Sequence, residues 1–298
     1  AIDPGSPGII ALRVTDDFTG PYEGVGAIWL HFQDALHQTY GLATRPTPSD
    51  AGTWDLLFNI GASGNDTGGS MVPLTGLIED TLPDSAIYLT TVQDDGASIA
   101  LSAPIAVATG IRNTSAMVFD PVNGDFWIGE NGIDGFEDPF VSFSADELNV
   151  VPADAISSET IDFGFPDTYT RADTGEVVGT TGATPIAVFL PLDGSENEGV
   201  SSLAFAPASF PADLQNGLFA GFHGQWDLVG IENEENPLLW VSAETGEMRS
   251  VVGNDAAIVG HLDTLISTED ALYVADFCAD GFLWQTEPCG VVYRVTAV

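Results

Sequence analysis

Lysine is missing from this chain of 298 residues, and its only basic side chains apart from four histidines are six arginines, set against 44 aspartates and glutamates. The formal charge is −38 and the isoelectric point lies near 4.1. Nucleic acid is therefore excluded as a partner, because a duplex is gripped by clustered Lys and Arg that displace counterions. The same deficit disfavours anionic membrane surfaces. Long apolar runs are also missing. Nothing approaches the roughly 20 consecutive apolar residues of a membrane span, so no membrane insertion is expected, and no basic segment leads into an apolar one as in an intact signal peptide. The opening "AIDPGSPG" suits either a terminus exposed by cleavage or an artificial one.

Cysteine occurs twice, at Cys278 and Cys289, flanking "ADGFLWQTEP" between the strand-like runs "ALYVADF" and "GVVYRV". A disulfide closing this loop is expected if the protein is secreted, extracellular or periplasmic; in a reducing cytosol the pair would be buried thiols. Two cysteines and four scattered histidines are too few for a dedicated transition-metal cage. Amphipathic helical stretches are scarce as well, and the best candidate, "SADELNVV" over 144–151, would make a turn or two.

What is present is apolar content. Hydrophobic residues make up 44% of the chain, aromatics 10%, and the mean hydropathy is +0.16, so the chain can bury a core despite a charge that would otherwise signal disorder. The acids should coat the outside, which keeps a protein soluble in salt and attracts divalent cations. That pattern fits either salty surroundings or an extracellular life.

Strand-length runs bounded by turn residues recur throughout, among them "WDLLFNIG", "SAMVFDP", "GDFWIGE", "SSLAFAP", "PLLWVSA" and "ALYVADF". One signature repeats four times: a small or polar start, an apolar strand, a turn, and a second strand carrying an aromatic. It appears in "YGLATRPTPSDAGTWDLLFNIG", "SAMVFDPVNGDFWIGENG", "SSLAFAPASFPADLQNGLFAGFHG" and "LDTLISTEDALYVADF". Repetition of one hairpin favours a β-propeller over a sandwich, and roughly 20 strand candidates at four per blade predict about five blades, within a range of four to six. No linker or charge block divides the chain, so 1–298 reads as one all-β domain with an atypical segment at 1–36.

In order along the chain, "HQTYGL", "WDLLFNIGASGND", "ATGIRNTSAMVFDPVNGDFWIGENGIDG", "SADELN", "DFGFPDTY", "GFHGQW" and "HLDTLISTEDALYVADF" resemble the soluble quinone-dependent glucose dehydrogenases, more closely their sorbosone dehydrogenase branch. The resemblance runs from His37 onward and implies a propeller whose parent form has six blades, two of them upstream, where this chain has 36 residues. It implies aldose oxidation at C1 with pyrroloquinoline quinone (PQQ), His37 acting as general base, and Arg112 and Asn113 contacting the quinone. Imidazole suits proton acceptance near neutrality, and a guanidinium can grip a carboxylate through two parallel hydrogen bonds. Against these roles stand a histidine merely capping a strand and an arginine in an internal ion pair. Calcium is expected on the loops after "GENG", with Glu130, Asp134 and Asp138 as ligands and Asp146, Glu147, Asn65 and Asp66 nearby; hard cations take several oxygen ligands.

The sequence also departs from the family. Relatives hold their tricarboxylate quinone with several basic residues, including a lysine. Here lysine is missing, Arg171, Arg249 and Arg294 fall outside the matching motifs, Glu196, Asn197 and Glu198 stand where relatives carry a histidine, and His261 replaces a frequent arginine. An alternative reading is therefore a non-catalytic extracellular propeller whose loops bind carbohydrate, calcium or protein, or a subunit of an extracellular assembly.

Overall fold

A computed structural model describes residues 8–15, 17–32, 36–38, 41–48, 50–137, 141–190, 199–224, 238–252, 262–276 and 290–297. Cys278, Cys289, Asp138, His261 and residues 196–198 lie outside the described residues. Among those described, every regular element is a strand.

The strands form five sheets of three or more members and one two-stranded ribbon. The first sheet has the order β1 (Gly8–Arg13), β2 (Glu23–Leu30), β5 (Met71–Gly76), β6 (Asp80–Pro83). The second runs β13 (Ile161–Asp162), β9 (Ile105–Thr109), β7 (Ala86–Asp94), β4 (Thr53–Ile60), β3 (Leu42–Pro46), with β8 (Ile99–Leu101) also on β7. The third is β10 (Ala116–Phe119), β11 (Phe126–Glu130), β12 (Asp146–Val151), β16 (Ala187–Phe189), and the ribbon pairs β14 (Tyr169–Thr170) with β15 (Val177–Val178). The fourth is β17 (Val200–Phe205), β18 (Gly217–Phe222), β19 (Leu238–Ser242), β20 (Met248–Val252); the fifth is β21 (Leu262–Ser267), β22 (Leu272–Asp276), β23 (Val291–Val295).

The four hairpins singled out in the sequence are β3–β4, β10–β11, β17–β18 and β21–β22, all antiparallel. Their first strands stand side by side. The hydroxyl of Ser115, just before β10, donates to the Ser201 carbonyl (2.9 Å). Ser201 donates in turn to the carbonyls of Gly221 (3.1 Å) and Leu262 (2.9 Å), and the Leu265 amide donates to the Ser202 hydroxyl (2.9 Å). These serines stitch neighbouring sheets where the first strands meet.

Successive sheets pack face to face, which explains why second strands such as "FWIGE" are apolar without alternation. Phe126 and Ile128 of β11 enter a core shared with Leu57, Ile87 and Val107, whereas Trp127 enters the next core with Leu203, Leu218 and Val241. In β4, Leu57 and Phe58 divide between two cores in the same way. Gly129 permits the close approach: a Cβ there would lie 2.7 Å from Val200 Cγ2 and 2.9 Å from Ala116 Cβ.

The four first strands border a cavity of about 1240 Å³, lined by Leu42, Ser115, Ser201 and Thr264 toward their starts and by Phe119, Phe205 and Thr268 at or just past their ends. This is the channel of a propeller. One expectation needs correction: residues 144–151 hold no helical turn. Asp146–Val151 form β12, paired with β11 and β16, because Leu148 and Val151 bury into the cores on either side.

Candidate functional site

The described residues that precede β3 and β10, or follow β4 and β11, stand at one end of the channel. His37 lies ahead of β3, Arg112 and Asn113 ahead of β10, Gly61 to Asp66 after β4, and Asn131 to Asp134 after β11. Backbone hydrogen bonds join them. The His37 amide donates to the Ala62 carbonyl (3.1 Å), the Ala62 amide to the Arg112 carbonyl (2.7 Å), and the Asn131 amide to the Asn113 carbonyl (2.9 Å). His37 is thus tied through Ala62 to Arg112, far along the chain, while Asn113 is tied to the loop after β11, and Ser115, two residues past Asn113, begins the channel wall.

The His37 side chain is mostly buried and its Nε2 has no hydrogen-bond partner. Burial first, and the nearby Arg112 charge second, push its pKa down to about 3, so the imidazole is neutral at physiological pH. Asn113 Oδ1 is likewise buried without a partner.

Arg112 is 1% exposed. Its Nε donates to the Asn65 carbonyl (2.8 Å), and its terminal nitrogen donates to Asn65 Oδ1 and to Asp134 Oδ2, both at 2.6 Å. Asn65 also clasps the Asp134 backbone, accepting from its amide (2.9 Å) and donating to its carbonyl (2.8 Å). The buried guanidinium fork is thus engaged in an ion pair with a partly exposed carboxylate. The other five arginines pair with carboxylates elsewhere: Arg13 with Asp94, Arg45 with Asp55, Arg171 with Asp173, Arg249 with Asp213 and Glu247, and Arg294 with Asp270.

Behind Arg112 stands an acidic wall. Glu130 Oε1 accepts from the Arg112 amide (2.7 Å) and Oε2 from the Asn149 side chain (3.1 Å). Glu147 lies directly across the sheet from Glu130, an arrangement in which like charges repel. Burial and that repulsion raise the Glu130 pKa, and burial raises that of Glu147. Asp146 accepts from the Gly132 amide (2.7 Å) and the Val200 amide (2.9 Å), bonds that favour its ionised form, yet burial outweighs them and its pKa rises to about 6. Asp146 and Glu147 were legible as acids; their placement on a strand facing Glu130 was not. A void of about 20 Å³ lies among Arg112, Glu130, Ser144 and Glu147, room for about one water. Among the described residues no group of three or more His, Cys, Asp or Glu is placed to hold a metal ion.

The residues present do not fit a tricarboxylate quinone. That ligand needs several unengaged cationic donors, whereas the one guanidinium here is sealed against Asp134 and backed by Glu130, Asp146 and Glu147. A further anion would be desolvated without compensation.

No family's sequence profile matches this chain, and no curated protein matches it in sequence. Solved structures do. A glucose dehydrogenase superposes with a TM-score of 0.57 at 16% identity, covering 98% of this chain and 74% of that one. A second glucose dehydrogenase gives 0.54 at 15% identity, covering 98% and 72%. A calcium structure of a Trichoderma reesei enzyme of carbohydrate-active family AA12 gives 0.52 at 13% identity, covering 96% and 80%. At such identities the likeness is one of architecture, and it shows this chain to have the all-β propeller fold of the glucose dehydrogenases.

Proposed function

We propose that this protein binds a neutral sugar at the channel end where His37 and Asn113 lie, and that it does so as a binding propeller without a tricarboxylate quinone. The observation carrying this reading is the pair of buried polar atoms lacking partners, His37 Nε2 and Asn113 Oδ1, on the segments that lead into β3 and β10, strands that border the channel. Each such atom left unsatisfied costs about 1–3 kcal/mol. Sugar hydroxyls both donate and accept, so one polyol satisfies Asn113 Oδ1 and either tautomer of His37. The acidic surroundings disfavour anionic ligands and leave neutral ones unaffected.

The second reading is aldose oxidation at C1 with quinone and calcium, Glu130 and Asp134 supplying metal ligands. The architectural likeness to glucose dehydrogenases and the neutral state of His37 favour it. A general base works best with a pKa near the operating pH, and His37, at about 3, is far below. The protein incubated with calcium and PQQ and then given aldoses and an electron-accepting dye separates the two readings. Binding alone gives no sugar-dependent dye reduction; turnover that depends on both quinone and sugar would establish oxidation instead.

A further inference from the structure

We propose that Asp134 occupies a carboxylate seat built by Arg112 and Asn65, and is thereby the residue that decides which ligand charge this end of the channel accepts. The inference deepens the reading of a neutral-sugar site and rests on that reading only for the choice of ligand, since the seat can be tested with no sugar present.

The seat has the features of a receptor for an external carboxylate. Its cation is 1% exposed, held from behind by the Glu130 carboxylate through its own backbone amide, and oriented by the Asn65 carbonyl on Nε. Its terminal nitrogen points at one carboxylate oxygen at 2.6 Å. That carboxylate is the least enclosed member: the Asp134 side chain is 27% exposed against 2% for Arg112. Asp134 therefore lies between the guanidinium and solvent, as a ligand would. Its backbone is fixed by the two hydrogen bonds to Asn65 and by a bridge to Ser142, so removing the side chain leaves the loop anchored and a carboxylate-sized opening over Arg112.

Two consequences follow. Carboxylate-bearing ligands are excluded from the native seat because it is filled, and ligands without charge meet a neutralised pair. Truncating Asp134 leaves a buried cation exposed through a small opening, and the chemical class that fits is a small monocarboxylate such as formate or acetate. The specificity switch is thus one side chain: with Asp134 the site is neutral-selective, and without it the site becomes anion-accepting.

Thermal unfolding of the wild type, Asp134→Ala, and the Arg112→Gln/Asp134→Ala double variant in rising sodium formate, with sodium chloride at matched ionic strength as reference, tests this. Asp134→Ala should melt several degrees below the wild type, and formate should restore most of the loss with a saturable, millimolar midpoint that chloride does not reproduce. The wild type and the double variant should respond to formate and chloride alike. Equal responses to the two salts in Asp134→Ala would overturn the proposal. Should that variant not fold, line broadening of isotopically labelled formate is measured on Asp134→Ser, which removes the charge and leaves the seat open while keeping a small polar group. Broadening beyond that with wild type supports the seat, and none contradicts it. Failure of sugar binding would leave these outcomes unchanged, so the two readings fail separately.

Discussion

His37 is the residue on which the sugar reading turns, and its protonation gives it a signature in stability. A buried histidine whose folded pKa lies near 3 takes up a proton far more readily when unfolded, where the pKa is about 6.5. It therefore destabilises the fold increasingly as pH falls from about 6.5 toward 3, by roughly 2 kcal/mol at pH 5. Asp146 acts in the opposite sense. Its folded pKa of about 6 exceeds the unfolded value, so its contribution is fully present below about 4 and is lost as pH rises through 6. Between pH 4 and 6 the two slopes oppose one another. Replacing His37 with Gln should remove one of them: its melting temperature, relative to its own value at pH 7, should stand several degrees above the wild type's at pH 5. Parallel melting profiles for the two proteins would show that His37 is not held neutral by burial.

The hairpins were the elements that the sequence made legible. Small-polar starts, turns at Asn123-Gly124, and largely apolar second strands marked β3–β4, β10–β11, β17–β18 and β21–β22, because second strands packed on both faces carry apolar residues without alternation. The stretch at 144–151 misled because acids are uncommon in buried strands; in β12, Asp146 is held by the amides of Gly132 and Val200, and Glu147 accepts from the Thr170 hydroxyl. Nor could sequence place Asp134 against Arg112, since that contact depends on how Asn65, far upstream, bridges two loops. The seams between sheets offer their own tests. Gly129→Val should cost about 1–3 kcal/mol by overpacking against Val200 and Ala116, and Ser201→Ala about 1 kcal/mol by stripping donors from the carbonyls of Gly221 and Leu262. Urea midpoints check both; unchanged midpoints would mean that the sheets do not meet as described.

For the whole molecule, a charge of −38 on 298 residues makes self-repulsion a global term. Screening shortens from about 30 Å at 0.01 M salt to about 3 Å at 1 M, so the melting temperature should climb steeply over the first few hundred millimolar sodium chloride and then flatten. A profile independent of salt would mean that the carboxylates are neutralised by other means. The same charge bears on ligand choice, because a propeller with every arginine already paired favours neutral solutes over anions at its channel mouth. Calorimetric titration of the calcium-supplemented protein, once with aldoses and once with PQQ, tests that claim most directly. Saturable one-site heats are expected for at least one aldose, weakened about tenfold or more in His37→Ala and in Asn113→Ala, with no saturable heat for the quinone. Stoichiometric quinone binding by the wild type, with no aldose bound in its absence, would contradict it.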